Sequence, residues 1–173
     1  DDRLARRCMD DFRRSARSDG FINSCAPTPR ANVIPGFNIY YILMIHDHMM
    51  YFGDKDLVKL HFPTVDGILN NFERHMNEQG LTQGLGGMIM RDKYWSFIDW
   101  VKGWYAGTPP VFLKSPITME SLLYILGLEH AAELAQYLDR DCLAVEYRKH
   151  AQDIREAVRD QCIGQDGLIQ DGP

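Results

Sequence analysis

The stretch Pro35-Gly36-Phe37-Asn38-Ile39-Tyr40-Tyr41-Ile42-Leu43-Met44-Ile45-His46-Asp47-His48-Met49-Met50-Tyr51-Phe52 decides the fold class. Pro35 suits the first helical position and Gly53 suits the residue just past a helix end. Between them, residues 39–45 are apolar all the way round, and such a helix is buried on most sides. Its neighbours read differently. Asp54 can cap a helix running to about residue 77, where Leu57, Leu60, Val65, Ile68, Leu69, Phe72 and Met76 make a single stripe. Pro63 predicts that this helix kinks or divides in two. Upstream, residues 3–17 place Leu4, Cys8, Phe12 and Ala16 on one face at four-residue steps, with Asp1 or Asp2 as the cap. Downstream, Ser115-Pro116 opens a second largely apolar helix to about residue 138, and an amphipathic helix follows over about 140–163.

An internal repeat connects these pieces. Leu57, Val65, Ile68, Phe72 and Met76 match Leu143, Ala151, Ile154, Val158 and Cys162 at a constant offset of 86. After one inserted residue, Gly80-Leu81-Thr82-Gln83 matches Gly167-Leu168-Ile169-Gln170, and Asp19-Gly20-Phe21-Ile22 is a weaker third copy. Apolar helices alternating with amphipathic ones predict inner and outer layers, the signature of an all-α toroid or solenoid. Residues 79–93, with Gly80, Gly84, Gly86 and Gly87, read as a small β-hairpin or an irregular loop.

Length and charge narrow the classes. At 173 residues the chain fits one domain, read here as a single partial barrel domain over 1–173. No run of 18 apolar residues is present, which argues against a membrane span. A net charge of −5 is wrong for a general nucleic-acid binder. The sequence lacks an initiator Met and a signal peptide and stops within a turn, so both ends read as cuts from a longer protein, and the compartment stays open. Cys8, Cys25, Cys142 and Cys162 form no Cys-x-x-Cys pair, and a disulfide remains an open alternative to free, hydrophobe-like thiols.

Chemistry concentrates in Tyr94-Trp95-Ser96-Phe97-Ile98-Asp99-Trp100-Val101-Lys102-Gly103-Trp104-Tyr105, which holds all three tryptophans. Flat rings beside an acceptor-only carboxylate suit a sugar, whose C–H face packs on rings while its hydroxyls donate to carboxylate oxygens. The competing reading makes these rings loop anchors packed over helix ends. His46 and His48 point about 200° apart on a helix and do not share a metal easily, so neither a metal nor a cofactor is expected. His61, His75, His130 and His150 read as surface or boundary residues. Glu129 and Glu133 share a face suited to solvent or a salt bridge, and the arginine-rich first helix reads as a solvated outer face. Gly84-Leu85-Gly86-Gly87 lacks the Gly-Lys-[Ser/Thr] of a phosphate loop.

Several elements, taken in order, resemble the α-L-rhamnosidases of glycoside hydrolase family 78. They are Ile34-Pro35-Gly36-Phe37-Asn38-Ile39-Tyr40, His46-Asp47-His48-Met49-Met50-Tyr51-Phe52-Gly53-Asp54, Phe72-Glu73-Arg74-His75, Trp95-Ser96-Phe97-Ile98-Asp99-Trp100, Gly107-Thr108-Pro109-Pro110 and Gly167-Leu168. The resemblance implies about half of an (α/α)6 barrel, some six helices of twelve, and an inverting hydrolase acting on rhamnose-containing glycans or glycosides. It implies that Asp99 and Trp100 line the rhamnose subsite, that Trp95 precedes them as a further aromatic, and that Phe37 contributes from the start of an inner helix. Trp104 joins them by proximity. In the family the general acid lies before the first residue of this chain and the base beyond its last, so no catalytic residue is assigned here. The alternatives are a non-catalytic helical scaffold that binds carbohydrate or protein through the aromatic loop, or another α/α-toroid glycosidase, epimerase or lyase.

Overall fold

A computed structural model describes residues 1–89, 92–113 and 116–173. Five α-helices follow in order: α1 (Arg3–Arg14), α2 (Pro35–Phe52), α3 (Lys55–Glu73), α4 (Thr118–Tyr137) and α5 (Asp141–Gln161), with a single 3₁₀ turn at Pro110–Leu113. Helices α2 and α4 pack on each other as an inner layer, while α1, α3 and α5 lie outside them. The inner contact is close because two glycines leave room for it. A Cβ on Gly127 would meet Ile39 Cδ1 at 2.8 Å, and one on Gly36 would meet Leu123 Cδ1 at 2.9 Å. Aromatic side chains join the layers: Phe72 of α3 stacks on Tyr124 of α4 at 5.0 Å, and Phe21 meets Phe72 edge-on at 5.2 Å.

Local signals fix several boundaries. The Asp54 carboxylate accepts from the Leu57 amide at 3.0 Å, the expected cap, and Gly53 takes the left-handed conformation that ends α2. Asn38, buried inside α2, accepts from the Ile22 amide at 2.8 Å and donates to the Ile34 carbonyl at 3.0 Å, fastening the segment after α1 to the inner helix.

Other expectations are corrected. Pro63 does not divide α3, which runs unbroken from Lys55 to Glu73; buried Phe62, Val65 and Ile68 on either side of the proline hold it to the core. Among the described residues five α-helices stand where about six were expected. No strand forms among the described residues, so the β-hairpin expected over residues 79–93 is not confirmed; Met90 and Arg91 lie outside the described residues, as does the expected cap Ser115. Only isolated bridges occur, including Met76 with Thr82 and Ile163 with Ile169. The stripe on α1 also differs, for Leu4 is 82% exposed and Met9 is the buried anchor. On α3, Leu60 is likewise exposed. His61 is buried rather than at a boundary. Its Nδ1 shares a 2.6 Å hydrogen bond with the Tyr41 hydroxyl, and burial lowers its pKa to about 4. All four cysteines are free thiols.

The repeat is visible as geometry. Each outer helix is followed by the same short turn, with the hydrogen bond Arg17 N to Phe21 O at 2.8 Å, Asn77 N to Leu81 O at 2.9 Å and Gly164 N to Leu168 O at 2.8 Å. Gly20, Gly80 and Gly167 occupy the left-handed position of the three copies. Gly20 is constrained further, since a Cβ there would strike the Gly67 carbonyl oxygen at 2.3 Å.

The helices' antiparallel order separates two ends. Inner helices run into outer ones through tight turns at 53–54 and 138–140, while outer helices return to inner ones through the longer segments 15–34 and 74–117.

Candidate functional site

The aromatic segment lies at the end of the bundle where the inner helices begin. Its backbone is pinned by Trp95 N to Val33 O at 2.8 Å, Ser96 N to Gly87 O at 3.1 Å and Ile98 N to Gly107 O at 2.9 Å. Buried Ser96 adds an Oγ that accepts from the Gly87 amide at 2.7 Å. The Trp95 indole donates to the Ala106 carbonyl at 3.1 Å, holding a residue whose φ is 48°. At Gly107 any side chain would meet the Phe97 ring at 2.4 Å, so the chain folds back tightly against that ring.

Phe97 is the hub. It lies 6.0 Å from Phe37, 5.0 Å from Trp95 and 5.1 Å from Trp100, while Trp95 and Trp100 meet at 6.4 Å and Phe37 and Tyr40 at 5.6 Å. A cavity of about 260 Å³ opens beside it, lined by Phe37, Tyr40, Phe97, Asp99, Met119 and their neighbours. Asp99 makes no ion pair with a described residue. One of its oxygens accepts from the Trp100 amide at 2.7 Å, which fixes the carboxylate and leaves acceptor capacity unused.

The structure thus brings Phe37 and Asp99 into one cavity and gathers Trp95 and Trp100 against its aromatic wall. Trp100 is 72% exposed and does not line the cavity. Trp104 falls elsewhere, in an adjoining cavity of about 200 Å³ bounded by Ile98, Thr118 and Met119. The reversal at Gly103, with φ of 92°, accompanies that separation. Sequence reasoning missed Phe97, Tyr40 and Met119 as wall residues. Tyr40 had a signal, being three positions after Phe37 on one helix face.

Other charged groups are committed to packing. His46 Nε2 meets Glu133 of α4 at 2.6 Å, whereas His48 Nε2 meets Asp2 at 3.0 Å, so the two rings serve different elements. Asp2 also pairs with Arg6, and the hydrogen bond from His48 holds its carboxyl below the usual range. Glu129 pairs with Arg155. Glu120, in the first turn of α4, is the exception: its Oε1 is buried without a partner, and desolvation pushes its pKa up to about 8. Among the described residues no group of three His, Cys, Asp or Glu side chains is arranged to hold a metal, and no helix is long and apolar enough to cross a membrane.

The model of the bacterial alpha-L-rhamnosidase six-hairpin glycosidase domain matches residues 2–172. The chain belongs to this family. No curated protein matches the sequence. Among solved structures, the family 78 rhamnosidase of Bacillus sp. GL1 superposes with a TM-score of 0.77 at 18% identity, covering 97% of this chain and 17% of its own. The Klebsiella oxytoca rhamnosidase with rhamnose bound gives 0.70 at 20% identity, covering 94% of this chain and 29% of its own. The Streptomyces avermitilis alpha-L-rhamnosidase complexed with L-rhamnose gives 0.61 at 19% identity, covering 94% and 14%. These likenesses establish the six-hairpin fold, and the chain spans less than a third of the length of each of these rhamnosidases.

Proposed function

We propose that this six-hairpin chain is part of the catalytic domain of an inverting glycoside hydrolase that removes terminal α-L-rhamnose, and that the cavity at Asp99 is its rhamnose subsite. The observation that carries the reading is one cavity lined by Asp99 together with Phe37 and Phe97, whose rings lie 6.0 Å apart, at the loop-bearing end of the inner helices. In this reading Asp99 accepts from rhamnose hydroxyls, and Phe37 and Phe97 pack on the apolar ring face. Trp95 and Trp100 buttress that wall.

Inversion needs an acid for the leaving oxygen and a base for water, about 6.5–9.5 Å apart. Among the described residues Asp99 is the only carboxylate lining its cavity, which supports acid and base supplied by chain outside residues 1–173. The domain is then partial, and its substrate is a rhamnose-containing glycan or glycoside. Release of p-nitrophenol from p-nitrophenyl α-L-rhamnoside tests this. The full-length protein is expected to be active and residues 1–173 alone inactive. Silence from the full-length protein sinks the hydrolase reading, and turnover by residues 1–173 alone sinks the placement of the acid and base.

A further inference from the structure

The turn that recurs after each outer helix is not used alike in its three copies. In the first and third an aspartate precedes the left-handed glycine, and one of its oxygens closes the turn locally. Asp19 Oδ1 accepts from the Phe21 amide at 3.1 Å, and Asp166 Oδ1 from the Leu168 amide at 3.0 Å. In the second copy Asn77 serves, accepting from the Leu81 amide at 2.9 Å. The aspartates part at the other oxygen. Asp166 lies exposed, and its Oδ2 has no partner among the described residues. Asp19 Oδ2 instead meets the aromatic segment. Lys93 Nζ lies 3.2 Å from it, the Tyr94 hydroxyl donates to it at 3.3 Å, and Arg17 Nε faces it at 3.5 Å.

Tyr94 opens the aromatic segment, and Lys93 precedes it. The Tyr94 ring is buried, edge-on to Phe21 at 5.4 Å, and its hydroxyl also accepts from the Asn71 amide of α3 at 3.2 Å. The Lys93 ammonium sits 4.7 Å from the centre of the same ring. Burial raises the Asp19 pKa, but the hydrogen bonds from Lys93 and the Phe21 amide and the charges of Arg17 and Lys93 outweigh it, so the carboxyl lies below the usual range. An ionised carboxylate thus joins the first turn and the start of the segment that carries Asp99, beside α3.

The other bonds of that segment differ in what they reach. Ser96 to Gly87 and Ile98 to Gly107 tie the connection between α3 and α4 to itself. They keep its internal shape without fixing where it stands on the bundle. Trp95 N to Val33 O, the Phe97 ring against Phe37 and the Asp19 joint reach across to other elements. Asp99, five residues past Tyr94 in a segment so bonded within itself, moves as the segment moves. We infer that Asp19 is a positioning residue for Asp99: it does not line the cavity, and it sets, through Lys93 and the Tyr94 hydroxyl, where the Asp99 carboxylate stands. The inference rests on the rhamnose reading of the Asp99 cavity.

The test compares kcat/KM for p-nitrophenyl α-L-rhamnoside among variants of the full-length protein. Asp19→Asn and Tyr94→Phe break the joint from its two sides. Each is expected to lower kcat/KM about tenfold, since a misplacement of about 1 Å can cost a hundredfold. Combined, they are expected to do no more than either alone. Asp166→Asn, at the matching place in the third copy, is expected to leave kcat/KM unchanged. In an Asp99→Ala background the two joint substitutions are expected to change kcat/KM by less than about twofold, because the group they displace is gone. An undiminished loss in that background, or an equal loss from Asp166→Asn, makes the joint merely structural and overturns the inference. Wild-type kinetics in both Asp19→Asn and Tyr94→Phe overturn it too, and the rhamnose reading survives each of these results. If Asp99→Ala itself keeps wild-type kinetics, that reading falls and the inference with it.

Discussion

The two ends of the bundle are built on opposite terms. Towards the tight-turn end polar side chains are matched across elements, with one ring nitrogen each of His46 and His48 left without a hydrogen bond. The Tyr137 hydroxyl donates to the Gly53 carbonyl at 2.7 Å, Lys55 meets Asp139 at 2.6 Å, and Asp54 caps α3 while pairing with Arg6 at 2.5 Å. At the loop end Thr108, Thr118 and Glu120 hold buried polar atoms with no partner, and Trp100 stands 72% exposed over a pinned loop. One end spends its polar groups on holding helices together. The other leaves a hydroxyl of Thr108 and of Thr118 and a carboxyl oxygen of Glu120 buried and unpaired, a cost in stability.

Mutations at the two ends should therefore separate activity from stability. The largest effect is expected from Asp99→Ala in the full-length protein: turnover of p-nitrophenyl α-L-rhamnoside falls about a hundredfold or more, with little change in Tm. Wild-type kinetics in that variant would remove Asp99 from the site.

Next comes Glu120→Gln, which tests whether the loop end carries a stability cost. Burial raises the Glu120 pKa from 4.5 to about 8, so the folded state binds one more proton than the unfolded state between those values. Stability contributed by the protonated acid is complete below about pH 4.5 and is lost progressively as pH rises to about 8. The glutamine variant should lack that slope and be more stable than wild type by about 1–3 kcal/mol at pH 8. Urea midpoints measured from pH 5 to 8.5 check it, and parallel profiles for the two proteins would refute it.

At the opposite end, Asp54→Ala removes the α3 cap and should cost about 1 kcal/mol of unfolding free energy without changing kinetics. A loss of activity there would break the division of labour. The smallest effect is expected from Tyr137→Phe, about 0.5–1 kcal/mol for one hydrogen bond, read as a shift in urea midpoint.

The helices were the most legible part. Helix α2 runs from Pro35 to Phe52 as read, because its start and stop are local: a proline that suits a first turn and a glycine that accepts a left-handed φ. The division that Pro63 allowed does not occur, because the break is a local preference whereas the burial that overrides it is tertiary. In the expected hairpin, the turn at Gly80 is closed by the single bridge between Met76 and Thr82 rather than by a ladder. At the site, the ring cluster was legible as composition. The meeting of Phe37 with Asp99 depends on packing between chain segments 62 positions apart, and only the family resemblance placed both. Glu120 and Thr118 gave no signal, since a sequence shows a helix start but not what covers it.

The turn shared at Gly20, Gly80 and Gly167 acts as a standard coupling between successive hairpins. A standard coupling separates two kinds of change. The angle from one hairpin to the next is set at the joint, while the chain that follows it is free to vary in length. After Gly20 it reaches α2 within fifteen residues, whereas after Gly80 it wanders through the whole aromatic segment before α4. Segments of very different length between joint and helix are thus carried on the same turn. The frame repeats from hairpin to hairpin while the segments hung on it differ in length, so an insertion after such a turn is expected to leave the helix packing in place.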